Sequence, residues 1–473
     1  MAQSRRTFLQ TSAIGIAATR FAASVERKRP NILIIHDDQH RGMDLGCAGN
    51  DQVITPHLDR LASEGICFTN AIANNPLCTP SRGIFLTGKY PLSHRAFSND
   101  LPLATGQETF ATVLKTHGYK TGYIGKWHLD GIPRGKFTPP GPRRQGFEDY
   151  WAVYNCHHNY FKTKYFRETP NLIEREGYEP AIQTDLAIEF LQTCKNEPFC
   201  LMISWGPPHA PYDLVPEPYR KLYDPASIAL RKNCKEDHRR VIADYYAHIT
   251  ALDDNVARLL ATLDERGLRE ETIVMFTSDH GDMLWSHGYQ KKQKPWEESI
   301  RVPLIIRAPG LIPAGKRSDL LFSTADVAPT LLGLAGLAAP AEMEGTDLSR
   351  NVVGEGGEEP HSVFILDVLP CDQARQFPGR PWRGVRTKRH TYARWPDGKG
   401  WVLYDNIDDP FQLRNLMDHS DHAALRRELE AELQTWLQKT NDPFLETDEM
   451  LAALGFTEIW QKREEHFRTG ENW

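Results

Sequence analysis

Strand-like apolar stretches, each closed by a polar cluster, recur along this chain. Asn31-Ile32-Leu33-Ile34-Ile35 ends in His36-Asp37-Asp38-Gln39, and Tyr119 to Ile124 ends in Gly125-Lys126-Trp127-His128. Phe199 to Trp205 ends in Gly206-Pro207-Pro208-His209-Ala210-Pro211, and Thr272 to Thr277 ends in Ser278-Asp279-His280-Gly281. Short apolar runs of this kind are expected of strands buried on both faces of a parallel sheet. Between them apolar positions fall at helical spacing. Phe110, Val113 and Leu114 precede Gly118; Ile249, Leu252, Val256, Leu259, Leu260 and Leu263 precede Gly267. Helices alternating with buried strands predict an open α/β sheet. In such sheets the ligand site lies at the carboxyl ends of the strands, so the four polar clusters are expected to converge.

The clusters differ in what they offer. Two adjacent carboxylates directly after a buried strand, Asp37 and Asp38, are costly unless solvated or bound to a cation, and hard cations take oxygen ligands of this kind. Lys126 and His128 are two apart, so an extended chain would point them the same way. Prolines on both sides hold His209 in a stiff loop. A fifth stretch, Asn75 to Gly83, puts a thiol, a proline and a guanidinium within about one turn. Pro80 suits the first turn of a helix, which would make Thr79 the N-cap and leave Cys78 just outside. Arg82 then lies on the same side of the turn as Cys78, and together with the helix N-terminus it favours an anion beside the sulfur. A buried structural cysteine before an ordinary helix is the competing reading.

Composition narrows the choice. A chain of 473 residues can bury a large core, and its net charge of -6 gives no basic footprint for nucleic acid. Any anion bound here must therefore be met by a local group of cations. The 8 cysteines form no C-x-x-C zinc pattern and are too irregular for a disulfide scaffold, with a Cys194–Cys200 pair left open. Ser4-Arg5-Arg6-Thr7-Phe8-Leu9, an apolar run from Ala13 to Ala18 and small residues at Ala22-Ala23-Ser24 have the layout of a twin-arginine export signal over 1–28. No other stretch has the ~18 consecutive apolar residues of a membrane span, so the expectation is a periplasmic or secreted protein.

At this point the residues resemble a family, the formylglycine-dependent type I sulfatases of the alkaline-phosphatase-like superfamily. Cys78-Thr79-Pro80-Ser81-Arg82-Gly83 with Leu86-Thr87-Gly88 looks like the first sulfatase signature, and Gly118 to His128 is similar to the second. Asp37-Asp38-Gln39, Pro208-His209, Ser278-Asp279-His280-Gly281 and Ile300-Arg301-Val302-Pro303 follow in family order, so the resemblance runs from Pro30 to about Leu437. It implies a large mixed, mostly parallel sheet sandwiched by helices over 29–345 and a smaller C-terminal α+β subdomain of antiparallel sheet and helix over 346–440. It also implies that a separate maturation enzyme oxidises Cys78 to formylglycine, whose hydrate is both nucleophile and metal ligand. Asp37, Asp38, Asp279 and His280 would complete a site for Ca²⁺. Histidine at 280, where many members carry asparagine, leaves Mn²⁺, Mg²⁺ or Zn²⁺ open. Arg82 would hold the hydrate, Lys126, His209 and Lys292 would bind sulfate oxygens and the departing alcohol, and His128 would take the proton that lets sulfate leave. Lys294 is the reserve for Lys292.

The implied reaction is hydrolysis of a sulfate ester, with a sulfated small molecule or glycan as partner. A phosphonate monoester or phosphodiester hydrolase using the same site is the alternative, and a non-catalytic glycan-binding relative with an unmodified thiol is the remaining one. Asn99-Asp100 and the aromatic, histidine-rich Tyr154 to Tyr160 are candidates for a sugar-binding wall or for loop packing. The segment 441–473 is charged and aromatic, wraps the body or meets a partner, and carries no recognisable catalytic motif.

Overall fold

A computed structural model describes residues 29–194, 197–371 and 379–469, so the expected export signal lies outside the described residues. Ten strands of the first part are β1 (Asn31–Asp38), β2 (Ile66–Ile72), β3 (Lys120–Lys126), β4 (Tyr150–Tyr154), β5 (Lys162–Tyr165), β6 (Ile173–Glu176), β7 (Phe199–Pro208), β8 (Thr272–Ser278), β9 (Leu304–Arg307) and β10 (Lys316–Ser323). Eight of them form one sheet in the order β10-β2-β9-β8-β1-β7-β3-β4, while β5 and β6 make a separate hairpin. Within the large sheet only β9 runs antiparallel to its neighbours, β2 and β8; the other pairs are parallel. This is an open α/β sheet, as the alternating pattern predicts, and the mixed, mostly parallel one that the family resemblance implies.

Both faces of the sheet are covered, which is why its strands read as continuous apolar runs. Ile32 and Ile34 point to one face, with Phe85, Phe110, Val327 and Leu331 from helices. Leu33 and Ile35 point to the other, with Leu186, Phe190, Leu252 and Val256. Each fully buried side chain of this size contributes about 1.5–3 kcal/mol relative to exposure. The four inner strands β8, β1, β7 and β3 are mutually parallel, so their carboxyl ends meet at one edge. There the register of β7 against β1 slips, His36 facing Ser204 while Asp38 faces Pro208, and the bulge re-aims the last residues of both strands. Gly125 allows β3 to close on β7 beside it. Its φ is +103° and an added Cβ would lie 2.1 Å from the Ser204 carbonyl oxygen, a position only glycine fills.

A second, four-stranded antiparallel sheet follows in chain order: β11 (Ser362–Asp367), β12 (Trp382–Thr387), β13 (His390–Arg394) and β14 (Gly400–Asp405). The helix Ala423–Lys439 packs on it through Leu429 and Leu433. The chain then continues into two further helices, Thr447–Leu454 and Thr457–Thr469. Their Met450, Leu451 and Trp460 share a buried cluster with Leu77, Phe97 and Leu101, beside the Cys78 helix. Cys194 and Cys200 form no disulfide.

Candidate active site

Cys78 does not sit outside its helix as the proline suggests. The helix spans Cys78–Thr87, Leu77 is the extended N-cap, and all ten residues are buried. Pro80 thus falls at the third helical position, still within the turn whose N–H groups lack intrahelical partners, so its missing N–H costs no helical bond. Thr79 is not the cap but a tether. Its Oγ1 donates to the His128 carbonyl at 2.8 Å, and its N–H donates to Asn99 Oδ1 at 3.0 Å.

Four groups surround the Cys78 sulfur. His280 Nε2 and Lys292 Nζ are each 3.2 Å away, Lys126 Nζ is 3.7 Å and Asp38 Oδ1 is 3.9 Å. Burial and Asp38 oppose ionisation of the thiol, but Lys126, Lys292 and His280 outweigh them and hold it well below the usual thiol range. Lys292, at the sulfur, is braced by Gln39 Oε1 at 2.7 Å. Lys294 is elsewhere, over the Tyr289 ring.

Single donor atoms of Asp38, Cys78, Asp279 and His280 lie within 4.8 Å of one another, all buried. The His280 Nδ1 is 2.9 Å from the Gly281 carbonyl, which can only accept; Nδ1 therefore carries a proton and Nε2 is the nitrogen turned to the group. Asp37 stands beside this set. Its Oδ2 pairs with His40 Nδ1 at 2.6 Å, while its Oδ1 is buried with no partner among the described residues. Buried carboxylate oxygens are normally satisfied, so an orphaned one next to two more carboxylates and an imidazole fits a divalent cation.

Arg82 bridges the two inner carboxylates instead of touching the sulfur. Its Nε donates to Asp279 Oδ2 and its Nη2 to Asp38 Oδ2, both at 3.1 Å. Nη1 ties it to Ser204 Oγ at 2.7 Å and to the Lys126 carbonyl at 3.0 Å. Lys126 also pairs with Asp38 Oδ2. Burial opposes ionisation of Asp38, yet Lys126, His209 and Arg82 keep its carboxyl well below the ordinary range. Asp279, by contrast, is pushed up to about 6 by burial and by repulsion from Asp38, against the pull of His280 and Arg82. A bound cation would relieve that repulsion.

Lys126, His128, His209 and Lys292 all line one cleft of about 470 Å³ that opens onto Cys78. His128 reaches it differently from the expectation: β3 ends at Lys126 and His128 has a left-handed φ of +54°, its N–H held by the Asn155 carbonyl at 2.6 Å. Its Nε2 is 3.1 Å from Asp100 Oδ1. Burial disfavours charge on His128, but Cys156 and the Asp100 carboxylate raise it to about 10. His209 lies stacked on His158, with ring centroids 4.3 Å apart.

Of the expected sugar wall, Asn99 and His158 do line the cleft. Tyr160 is fully buried and donates its hydroxyl to the His209 carbonyl at 2.7 Å, so it is packing. Asp100 is also buried, and serves His128 and Arg134. Arg134 and Phe467 complete the lining, and no local pattern in the sequence singles them out. A larger cavity of about 660 Å³ opens at the opposite ends of β1 and β8, near Pro30 and Thr272, away from every one of these groups.

Comparison with known proteins agrees with this site. Residues 30–337 match the sulfatase family model, and residues 285–439 match the one described as N-sulphoglucosamine sulphohydrolase, C-terminal. An ulvan-active sulfatase of Formosa agariphila is 39% identical over 441 residues, 91% of this chain and 85% of that protein. An N-acetylglucosamine-6-O-sulfatase of Bacteroides thetaiotaomicron is 28% identical, covering 92% of this chain and 91% of its own. A solved structure of a protein in complex with its substrate D-glucosamine-2-N,6-O-disulfate superposes with a TM-score of 0.79 at 26% identity, over 88% of this chain and 99% of that one. On these matches the chain belongs to the sulfatase family.

Proposed function

We propose that the protein hydrolyses sulfate esters of a saccharide, with residue 78 working as formylglycine. The observation that carries this reading is the focus of Lys126, Lys292 and a metal-type set of carboxylates and imidazole on one buried sulfur. A doubly charged sulfuryl group needs fixed positive charge where its own charge develops, and preorganised donors supply it without reorganisation.

The roles follow from position. Asp37, Asp38, Asp279 and His280, with the side chain at 78, would hold the cation, Ca²⁺ by the oxygen-rich donor set. A cation there stabilises an ionised oxygen nucleophile. Arg82 keeps Asp38 and Asp279 charged and in place. Lys126, Lys292 and His209 bind the sulfate oxygens and the leaving oxygen. His128, within reach of residue 78, is the proton-transfer group, and Asp100 stabilises its imidazolium. Maturation of Cys78 by a separate enzyme and export through the twin-arginine layout of 1–28 belong to the same proposal.

The test is a panel of sulfated mono- and oligosaccharides, an aryl sulfate and an aryl phosphonate. Sulfate release from a saccharide supports the reading; faster turnover of the phosphonate overturns it. Intact mass should show an aldehyde at position 78 in active material. Chelation should remove activity, with metal analysis of the purified protein separating Ca²⁺ from Mn²⁺, Mg²⁺ and Zn²⁺.

Two lysines of the 289–294 loop give a sharper prediction. Lys292→Ala is expected to lower kcat by about 10²–10³, as for loss of one transition-state donor. Lys294→Ala should leave kcat within about threefold and act on stability, because its ammonium sits over Tyr289, away from the sulfur. Equal kinetic losses in both would remove Lys292 from the site.

A further inference from the structure

The helix Thr457–Thr469 lies beyond residue 439, where the match to the C-terminal family model ends. Yet it reaches the reaction cleft. Phe467 forms part of the cleft lining together with Arg134. Arg463, buried to 1% exposure, donates its Nε to the Asn99 carbonyl at 2.8 Å and its Nη2 to Asp100 Oδ2 at 3.4 Å. Arg134 grips the same carboxylate in bidentate fashion, at 2.7 and 2.8 Å. The Phe467 ring lies between the two arginines' reach, 4.9 Å from the Arg134 guanidinium and 4.7 Å from that of Arg463.

Everything this knot holds leads back to the reacting groups. Asp100 accepts from His128 Nε2, and its neighbour Asn99 accepts the N–H of Thr79, the residue after Cys78. The helix itself is anchored by Trp460 in the cluster that contains Leu77 and Leu101. A carboxylate fixed by two guanidiniums has one orientation left for the imidazole, and groups that orient a working side chain typically matter 10–100-fold.

We propose that the terminal helix is a working part of the catalytic centre: Arg463 is a positioning residue that sets His128 through Asp100, and Phe467 closes the cleft by clasping Arg463 and Arg134. This rests on the reading of His128 given above, and the experiment separates the two. Full-length protein with equal aldehyde content at position 78, checked by peptide mass, is assayed with 4-methylumbelliferyl sulfate or the saccharide found by the panel. R463A is expected to lose about 10–100-fold in kcat with KM within about twofold, and R463K to recover part of it. H128A should lose more, and adding R463A to H128A should cost nothing further, because residues acting through one group are not additive. Wild-type activity in R463A, or the same fold-loss in the H128A background as in the wild type, overturns the positioning role. Full activity in H128A instead overturns the reading of His128 itself. Should R463A fail to fold by its thermal transition, R463K and F467L carry the same comparison, with full activity in both overturning the proposal.

Discussion

Cys78→Ala is expected to abolish turnover, by about 10⁴-fold or more, with little change in thermal stability. The size follows from chemistry: removing a nucleophile leaves only binding and electrostatics to act, a residue of the total rate enhancement. Stability should hold because the sulfur has no structural partner that needs it. Its neighbours at 3.2–3.9 Å are two ammoniums, an imidazole and a carboxylate that also bond elsewhere, Lys292 to Gln39, Lys126 to Asp38, His280 to Gly281 and Asp38 to Arg82. Wild-type protein produced without conversion of Cys78 should behave like the alanine variant. Kinetics and intact mass on both preparations check this; appreciable turnover by the unconverted thiol would show that formylglycine is not the working group.

The second large effect is on the fold. Arg82→Met is expected to destabilise the protein by about 3–5 kcal/mol, because it removes the guanidinium shared by two buried carboxylates and leaves Asp38 with a single ammonium, Lys126, and Asp279 without its arginine. Asp38 and Asp279 are both 0% exposed, and the guanidinium also anchors Ser204 on β7 and the Lys126 carbonyl at the end of β3. One side chain therefore pins the ends of four strands. Arg82→Lys keeps the charge but cannot reach four acceptors with one ammonium, and should recover only part of the loss. Denaturant unfolding of the three proteins measures this. Stability unchanged in Arg82→Met would mean that the carboxylates are held by the cation alone.

Much of this is readable from local pattern. Apolar runs closed by Asp37-Asp38, Lys126, His209 and Asp279-His280 announce strands whose ends converge, since period and punctuation are properties of short stretches. Pro80 places the start of the Cys78 helix two residues late, because proline is tolerated throughout the first turn and its presence alone does not say at which position. The resemblance prefers Lys292 with Lys294 in reserve, and nothing local in the sequence marks the left-handed backbone that flanks Lys292 at Lys291 and Gln293. Arg463 and Phe467 are out of reach altogether. Their partners Asp100 and Arg134 lie more than three hundred residues away, and no periodicity encodes a contact of that span.

The sheet order has a consequence for how the molecule comes into being. β1 is flanked by β7 and β8, and β2 finds its parallel partner in β10; of the pairs in the sheet only β3 with β4 and β8 with β9 join neighbours in sequence. Topologies dominated by such distant pairings fold slowly, since the loops must be closed before any contact rewards them. The reacting groups, carried on separate strand ends from Asp37 to Lys292, then have no early, partly assembled form. A chain released before β10 is made lacks the outer strand of the sheet, and one released before the helix Thr457–Thr469 lacks Arg463's share of the grip on Asp100. Hydrolytic power should emerge in a single late step of folding, after the helix Thr457–Thr469 has been made.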